Sequence, residues 1–295
     1  MSIINRWKIL SKREDFRRNP CRAIWRRIVW HARWKFFSHP WPLTLPGGMT
    51  ISVPRGGAGA LIYYQGESEP LTNRFMRSFL RTGMSFWDVG AHIGEHTLLA
   101  AKTVGDTGEI HAFEPTPEIF SLLCLNIASN GLRNVKANQL AVSDACKETM
   151  LELFDEPSIS RLSTSSLNGT NNMVRQTKVE CVSLGTYLGN HRIPNLVKID
   201  VEGAELDVLV GMGQLLSVEA SKAPVIIFEF CYANSQRFGY EPIQIIRHLN
   251  NFGFGLYCLS RSAVSPVSVD SKHLNLHYPE NNLIASKLKP CHNLA

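Results

Sequence analysis

The sequence predicts an α/β protein built on a doubly wound, mostly parallel β-sheet. Three observations predict this fold class. Strand-like and helix-like segments alternate from residue 84 to residue 251, the order expected when helices connect parallel strands. A turn with two glycines follows the first of these strands, in the segment FWDVGAHIGEHT at residues 86–97. The next strand ends on an acidic residue, Glu114, at the edge where parallel sheets bind ligands.

Length and composition set the frame for this fold. The 295 residues are 44% hydrophobic and 19% charged, which suits one α/β domain with appendages. No apolar run approaches the length that spans a bilayer, and the start of the chain lacks the apolar core of a secretory signal. The seven cysteines show no C-x-x-C pair and no metal-ligand spacing. We therefore expect a cytosolic protein with reduced cysteines and no metal site.

The basic charge is concentrated at the amino terminus. Residues 1–40 carry 11 Lys and Arg against two acidic residues, whereas the rest of the chain carries 20 against 23. We therefore divide the chain into a basic, Trp-rich arm with its linker at residues 1–48 and a main domain at residues 49–295. The motifs of the main domain lie within 84–260. Because this domain is slightly acidic, its charge excludes it as a nucleic-acid binder.

The arm holds five of the six tryptophans, and we expect a helix that starts at Pro20. One stripe of this helix is apolar: Cys21, Ile24, Trp25, Ile28, Val29, Ala32 and Phe36. The opposite face carries Arg22, Arg26 and Arg33, interrupted by Trp30, Trp34 and Phe37. A basic helix rich in Trp and Phe suits an anionic membrane surface. The alternatives are a helix packed on its own domain with its arginines in solvent, and a helix docked on a partner protein.

The elements of the main domain follow from breakers and periodicity. Residues 40–48 read as a linker, and 49–53 and 60–64 as short strands across a Gly-rich turn. Helices with Pro, Thr or Gly at their ends are predicted at 70–81, 95–104, 117–130, from 204, and 242–251. Strands are predicted at 84–89, 108–114, about 135–141, 148–154, 176–182, 195–201, 225–230, near 255–259 and near 282–286. The long polar stretch 155–175 is interpreted as a substrate lid.

The glycine turn has the features of a ligand site. Gly90 lets the chain leave the strand, and Gly94 sits at the start of a helix whose first N–H groups are free. With the Asp88 carboxylate at the rim, the turn suits an amino-acid moiety, and Glu114 suits the two hydroxyls of a ribose. Together they indicate S-adenosylmethionine. The alternative is a tight turn without a ligand. The spacing departs from the dinucleotide fingerprint, which disfavours a dehydrogenase.

A second cluster lies in the segment KIDVEGAE at residues 198–205. Lys198, Asp200 and Glu202 share one face at the end of a strand that should be apolar on both faces. Burying such groups is costly unless they have partners or a task. The structural alternative is a self-satisfied Lys–Asp pair, with Glu205 at a helix amino terminus. Glu229, at the end of the next apolar strand, is open to the same two interpretations.

Six segments in order resemble the FkbM family of S-adenosylmethionine-dependent methyltransferases. They are YYQGESEP, FWDVGAHIG, HAFEPTPE, the helix end at Asn126 and Asn130, AVSD, and KIDVEGAE. The resemblance covers roughly residues 60–260. It implies the class I methyltransferase fold, a seven-stranded sheet whose last strand is antiparallel, with residues 49–295 as the methyltransferase domain. It also implies acceptors that are hydroxyls of sugars, polysaccharides, glycolipids or polyketides.

The resemblance also implies roles for individual residues. It assigns the methionine end of the cofactor to Asp88, Gly90 and Gly94, the ribose to Glu114, the adenine to Val142 and Asp144, and the methyl group to Asp200. Two positions depart from the family pattern. His92 stands where the family commonly has Asn, and Leu184-Gly185-Thr186 stands where it commonly has Leu-Asp-Asp.

A methylated hydroxyl must lose its proton, and three residues compete to take it. Asp200 is the first candidate, and Glu229 and His92 are its competitors. The sequence leaves the basicity of Asp200 open, because burial and a neighbouring lysine act on a carboxylate in opposite directions.

The sequence thus predicts an O-methyltransferase that acts on a small-molecule or glycan acceptor. The acceptor class is a sugar-containing, glycolipid or polyketide-like molecule. An N-methyltransferase, or a catalytically silent cofactor-binding module tethered by its arm, is the alternative. No nucleic-acid partner is expected, and residues 1–42 are predicted to contact the inner face of a membrane peripherally. The sequence leaves the oligomeric state open.

Overall fold

The structure is a computed structural model that describes residues 14–154, 160–162, 173–189, 191–260, 263–267 and 279–290. These residues form two compact units, which divide between Ser68 and Glu69. The separation of residues 1–48 as arm and linker stays a prediction. In the described ranges, no helix combines the length and the apolar character needed to cross a membrane.

In the part of the chain that the structure describes, the first unit contains three helices and a hairpin. In chain order they are α1 (Glu14–Arg18), α2 (Pro20–Phe36), β1 (Trp41–Thr44), β2 (Thr50–Val53) and α3 (Gly57–Gln65). Helix α2 starts where the sequence predicts it, because the side chain of Asn19 accepts a hydrogen bond from the backbone N–H of Arg22 at 3.0 Å.

The predicted strand at residues 60–64 is wrong, because this segment belongs to helix α3. Strand β2 pairs instead with β1, antiparallel, and β1 comes from the segment predicted as a linker. A short apolar run such as ALIYY has no periodicity that separates a buried helix from a strand. The helix also packs tightly: a Cβ added to Gly59 would lie 2.7 Å from the carbonyl oxygen of Pro54.

Helix α2 buries the face that carries Trp30 and Trp34, which the sequence analysis describes as the polar face. Its buried residues are Ala23, Trp30 and Trp34, whereas the predicted apolar stripe faces solvent, with Trp25 63% and Phe36 73% exposed. The alternative that places the arginines of a packed helix in solvent is therefore wrong for Arg26, and the neighbouring Arg27 is partly buried as well. Arg26 and Arg27 are only partly exposed, because they lie over the rings of Tyr63 and Tyr64, 4.6 Å and 4.5 Å from the ring centres.

Aromatic packing explains this orientation. The Trp30 ring lies 5.5 Å from that of Trp34, 5.9 Å from that of Trp41 and 5.3 Å from that of Tyr63. Aromatic rings bury a large apolar surface when they pack together, and the arginine planes stack on the tyrosines of this cluster. The stripe of α2 that the periodicity predicts as the packing face is thus the exposed face.

The second unit contains the central sheet. Its helices are α4 (Pro70–Phe79), α5 (Glu95–Val104), α6 (Pro117–Ser129), α7 (Leu184–Leu188), α8 (Glu205–Met212), α9 (Gln214–Ser217), α10 (Tyr232–Arg237) and α11 (Ile243–Asn251). Its strands are β3 (Ser85–Val89), β4 (Glu109–Phe113), β5 (Val135–Asn138), β6 (Ala141–Val142), β7 (Lys147–Phe154), β8 (Ser160–Leu162), β9 (Met173–Val182), β10 (Leu196–Ile199), β11 (Val225–Glu229), β12 (Gly255–Leu259), β13 (Val264–Pro266) and β14 (Asn282–Ser286).

The central sheet has the strand order β13-β12-β14-β11-β10-β3-β4-β5. The strands from β11 to β5 are parallel, and β14 runs antiparallel to both of its neighbours. This confirms the predicted fold class, a doubly wound class I methyltransferase sheet. The described sheet has eight strands rather than seven, because β13 pairs with β12 beyond the predicted edge.

A smaller sheet, in the order β6-β9-β7-β8, flanks the central one. It confirms the predicted strand pair at 148–154 and 176–182, which is antiparallel. Residues 160–162 of the proposed lid form β8, so the polar stretch is not one continuous loop. Residues 155–159 and 163–172 lie outside the described residues, and the lid stays a prediction.

Candidate active site

The candidate site lies where the direction of winding reverses in the central sheet. Strands β3 and β10 are neighbours there, while β4 lies on the far side of β3. Such switch points form a crevice outside the carboxyl ends of the strands. The ends of β3, β4, β10 and β11 bring the predicted residues of both sequence clusters to this edge.

The glycine turn after β3 lies directly against the end of β10. Gly90 has a φ of 81°, and a Cβ there would lie 1.9 Å from the carbonyl oxygen of Asp200. Gly94 has a φ of 91°, and its added Cβ would lie 2.6 Å from the side chain of Leu123. Both positions therefore require glycine. The N–H of Gly94 itself donates to Ala91 at 2.8 Å, so the helix N–H groups available to a ligand come after it.

Asp88 lies beneath this turn rather than at its rim. It is 1% exposed, and its Oδ2 accepts a hydrogen bond from the hydroxyl of Thr97 at 2.6 Å. Burial raises the pKa of Asp88 to about 6, although Lys198 and Thr97 oppose the shift. Asp88 thus ties β3 to the start of α5, and its contact with the methionine end of the cofactor stays a prediction.

Glu114 joins the turn to the second strand. Its carboxylate accepts hydrogen bonds from the backbone N–H of His92 at 3.0 Å and from that of Thr116 at 2.9 Å. His92 has a φ of 50°, a conformation in which Asn and His are both enriched, and this accounts for His where the family commonly has Asn. The side chain of Thr116 also donates to this carboxylate, so three of its roughly four acceptor positions are used and one remains for a ribose hydroxyl.

The ring of His92 ends in a buried nitrogen that needs a partner. Its Nε2 has no hydrogen-bond partner among the described residues. Burial lowers the pKa of His92 to about 4, with Lys198 adding to the effect and Asp200 opposing it, so the imidazole is neutral at pH 7. An orphaned buried donor or acceptor costs free energy until a ligand satisfies it. This nitrogen, together with the close-packed glycine turn, fits a bound cofactor or acceptor.

Lys198 is the buried cation of the site. It is 2% exposed, and its Nζ lies 2.7 Å from Oδ2 of Asp200 and 3.7 Å from Oε2 of Glu69. Burial lowers the pKa of Lys198, but the carboxylates of Asp200, Glu69 and Asp88 outweigh it and leave the pKa above its usual value. The side chain of Asp200 is 28% exposed and that of Glu69 is 20% exposed, so Asp200 is the more accessible carboxylate beside Lys198.

Glu229 belongs to a second acidic group beside Asp200. Asn234 donates from Nδ2 to Glu229 at 3.0 Å and to Glu202 at 3.1 Å. Burial, reinforced by the neighbouring carboxylates, raises the pKa of Glu229 to about 9 and that of Glu202 to about 7. A carboxyl group with a pKa of about 9 is protonated at neutral pH. Glu229 can therefore donate a hydrogen bond there but does not accept a proton.

The two residues predicted at the adenine have different surroundings. Val142 is 3% exposed and packs in the core cluster with Phe113 and Leu184, so any contact it makes with a ligand is through its backbone.

Asp144 is exposed and accepts hydrogen bonds from Lys147 at 2.6 Å and from Ser143 at 3.0 Å. These partners lower the pKa of Asp144. Its role at the adenine stays a prediction.

The second departure from the family pattern falls at the start of α7. The side chain of Ser183 caps this helix by accepting from the N–H of Thr186 at 3.2 Å. A Cβ at Gly185 would lie 3.1 Å from the carbonyl oxygen of Gly211 in α8. The close approach of two helix backbones at this point favours glycine over a larger residue.

Glu69 is the residue of the site that the sequence interpretation missed. It stands just before α4, accepts a hydrogen bond from Asn282 at 2.9 Å and lies 3.5 Å from Nε2 of His96. Burial raises the pKa of Glu69 to about 7, although Lys198 opposes the shift. Periodicity does not mark Glu69, because this residue stands before the proline that opens the helix. The one signal for it in the sequence is its position within the segment YYQGESEP, which resembles the family.

Residues 88–256 match the family model described as Methyltransferase FkbM domain. Methyltransferase 1 of Beauveria bassiana is 29% identical over 144 residues, which are 42% of this chain and 57% of that protein. Hexuronic acid methyltransferase AglP of Haloferax volcanii is 28% identical over 137 residues, which are 44% of this chain and 50% of that protein. The chain spans about half the length of these curated relatives.

Two solved structures are among the similar folds. The SAM-dependent O-methyltransferase of Thermotoga maritima has 13% identity and a TM-score of 0.41, with 85% of this chain and 78% of that chain covered. The O-methyltransferase of Bacillus cereus in complex with SAH has 13% identity and a TM-score of 0.42, with 75% and 82% covered.

Proposed function

Because the chain belongs to the FkbM methyltransferase family and its cofactor is S-adenosylmethionine, we propose that it methylates a hydroxyl of a sugar-containing, glycolipid or polyketide-like acceptor. The observation that carries the proposal is the position of Asp200. Its carboxylate pairs with the buried Lys198, and its carbonyl oxygen packs on Gly90 of the cofactor turn. A hydroxyl gives up its proton as it is methylated, and a carboxylate at this place is what it needs.

In this proposal, different residues of the site bind the cofactor and accept the proton. S-adenosylmethionine, when bound, supplies a methyl group on a positively charged sulfur. Gly90 and Gly94 let the turn pack closely against Asp200 and Leu123, and Glu114 offers an acceptor for the ribose hydroxyls. Asp200 takes the proton of the acceptor hydroxyl, and Lys198 holds its carboxylate in place. The remaining contribution of the protein is alignment of the acceptor and exclusion of water.

The charge states favour Asp200 over its two competitors as the base. Glu229 is protonated at neutral pH because burial and neighbouring carboxylates raise its pKa to about 9. His92 is a weak base because burial lowers the pKa of its imidazole to about 4. Asp200 is ion-paired with Lys198 and is the more exposed of the two carboxylates beside it, which favours it as the base.

The acceptor class is tested with labelled S-adenosylmethionine and a panel of acceptors. The relative AglP is named for hexuronic acid, so the panel contains hexuronic acids, neutral sugars, glycolipids, a polyketide alcohol and amines. We expect label in the hydroxylated acceptors as an ether, which mild alkali leaves intact. Label released by mild alkali indicates a methyl ester, and label only in amines indicates N-methylation. Either of these results contradicts the proposal.

We further propose that the exposed face of α2 binds an anionic membrane surface. Trp25, Ile28 and Phe36 on this face are 63%, 54% and 73% exposed. Exposed basic residues, Arg22 and Lys35 among them, flank it, and residues 1–40 carry 11 Lys and Arg against two acids. Interfacial helices combine these features, because aromatic rings insert at the headgroup level while cations attract anionic lipids.

Vesicle sedimentation tests this surface. We expect the full chain to bind vesicles with anionic lipid at low salt and to release them as salt rises, because screening weakens the attraction. The variant Trp25→Ser/Ile28→Ser/Phe36→Ser loses binding but keeps its fold, since these side chains are exposed. The matched control, Leu125→Ser/Val210→Ser, changes exposed apolar residues of the second unit and binds as before. The proposal is contradicted if the full chain does not sediment with anionic vesicles at low salt.

A further inference from the structure

A cluster of two histidines and a glutamate lies away from the cofactor edge of the sheet. Glu109 and His111 point to the same face of β4, because they are two residues apart in a strand. His191 follows α7 and brings its ring to within 4.6 Å of that of His111, centre to centre. Glu109 opens β4 whereas Glu114 follows its other end, about 16 Å further along an extended chain. The cluster is therefore separate from the candidate active site.

The three side chains have the spacing of metal ligands. Oε1 of Glu109 lies 2.6 Å from Nε2 of His111 and 3.9 Å from Nδ1 of His191. One ligand atom from each residue lies within 4.8 Å of the others. Two ligands of a tetrahedral zinc ion, each bonded at about 2.0–2.2 Å, are about 3.3 Å apart. The distances from Oε1 of Glu109 to the two histidine nitrogens, 2.6 Å and 3.9 Å, lie on either side of this value, so small side-chain rotations bring the ligand atoms into place.

The hydrogen bonds of Tyr187 decide which nitrogen of His111 carries a proton. Tyr187 donates its hydroxyl proton to Oδ1 of Asn138 at 3.1 Å. The amide of Asn138 is oriented by its Nδ2, which donates to the carbonyl oxygens of Ala112 and Lys136, both at 3.2 Å. The hydroxyl oxygen of Tyr187 therefore accepts from Nδ1 of His111, 2.7 Å away. His111 is thus a donor at Nδ1.

In neutral His111, Nε2 then presents a lone pair to the carboxylate of Glu109. Two acceptors 2.6 Å apart repel each other unless a cation lies between them. The cation is either a proton or a metal ion. A proton between Glu109 and His111 leaves Nδ1 of His191, 3.9 Å from the same carboxylate oxygen, without a role. A metal ion is the other way to satisfy both groups.

The surroundings have the features of a metal site. A ligating histidine usually donates its second nitrogen to a fixed acceptor, as His111 does to Tyr187. Glu109 and His191 are 35% and 28% exposed, which leaves a path for the ion and a position for water. Lys136 opposes binding, because its Nζ lies 3.5 Å from Nε2 of His191, but this lysine is exposed and free to turn into solvent.

We propose that Glu109, His111 and His191 bind a zinc ion, with water in the fourth position. Two imidazole nitrogens and one carboxylate oxygen are a donor set typical of zinc. The ion would tie the loop after α7 to strand β4 of the central sheet. This proposal is independent of the acceptor and of the base.

The first test is zinc binding to the full chain after treatment with a chelator. Zinc chloride is added in competition with a chromophoric chelator, and cobalt absorption reports the ligand geometry. We expect one tightly bound ion per chain, a tetrahedral cobalt spectrum without thiolate bands, and a rise in the melting temperature with zinc. His191→Ala and Glu109→Gln each weaken binding by about tenfold or more and reduce the rise at a given zinc concentration.

Two further variants serve as matched controls. Lys136→Met removes the opposing ammonium and tightens zinc binding. His31→Ala changes an exposed histidine in the first unit and leaves binding unchanged. The proposal is overturned by the absence of stoichiometric binding. It is also overturned by binding that is insensitive to His191→Ala and Glu109→Gln, which assigns the ion to cysteines or other surface groups.

Discussion

Replacing Asp200 by Asn is expected to lower the turnover of methyl transfer by about a hundredfold or more while leaving the affinity for S-adenosylmethionine nearly unchanged. The amide has nearly the shape of the carboxylate, but it does not take up the proton of the acceptor hydroxyl. The contact between the backbone oxygen of Asp200 and Gly90 is preserved, so the cofactor turn keeps its place. The effect therefore belongs to kcat and not to cofactor binding.

The measurement combines calorimetric titration of the cofactor with steady-state turnover on an acceptor found in the panel. Asp106→Asn is the control, since Asp106 is an exposed aspartate outside the site, and it should behave as the unchanged protein. Equal losses of binding and turnover would make Asp200 a residue of cofactor binding or of structure. Unchanged turnover would leave the proton to Glu229, His92 or solvent.

Replacing Lys198 by Met is expected to destabilise the second unit by about 3–5 kcal/mol at pH 8. The ammonium group lies among the carboxylates of Asp200, Glu69 and Asp88, and its removal leaves buried charges uncompensated. Glu69 and Asp88 already have pKa values raised to about 7 and about 6 by burial, and the loss of the cation raises them further.

The loss of stability should depend on pH in a definite direction. A carboxyl with a raised folded-state pKa contributes its full stability below the unfolded pKa and loses it as pH rises through the folded pKa. Below the folded pKa values of Glu69 and Asp88 these groups bind a proton, so Lys198→Met costs less at pH 5 than at pH 8. Urea unfolding followed by circular dichroism at the two pH values measures the difference.

Two further variants separate the buried charge from a general loss of packing. Lys222→Met removes an exposed lysine that pairs with Glu219 and should change the free energy of unfolding by less than about 0.5 kcal/mol. Adding Glu69→Gln to Lys198→Met removes one of the buried carboxylates that have lost their cation, and it should restore part of the free energy of unfolding. A destabilisation that is the same at pH 5 and pH 8 would mean that lost packing, not charge, is its cause.

Regular alternation and local chain chemistry made most of the central sheet predictable. Helix α5 has the predicted bounds, and the strands near 255–259 and 282–286 lie where the sequence predicts them. The sequence predicts Gly90 as a turn residue because glycine leaves a strand without a Cβ penalty, and the structure adds that Asp200 leaves no room for a Cβ. These features depend on neighbours in the chain, which a sequence displays.

Three features depend on contacts between distant segments and were therefore beyond periodicity. Helix α3 was predicted as a strand, because its apolar run is too short to show a period and its packing on the hairpin decides its conformation. The strand β13 at the edge depends on pairing with β12. The packing face of α2 depends on Trp30 meeting aromatic rings from the hairpin and α3.

The sequence by itself determined the class of the sheet, the glycine turn, Glu114 at the end of β4 and the charged cluster at Lys198 and Asp200. Only the tertiary structure decided the protonation of these groups and their partners. Glu229 is protonated at neutral pH because burial and facing carboxylates raise its pKa to about 9. Glu69 belongs to the site because its carboxylate lies 3.7 Å from Nζ of Lys198. Likewise His111 and His191, 80 positions apart, meet only once the sheet is formed. Desolvation and charge proximity are properties of the folded arrangement, whereas turn and strand preferences are already present in the chain.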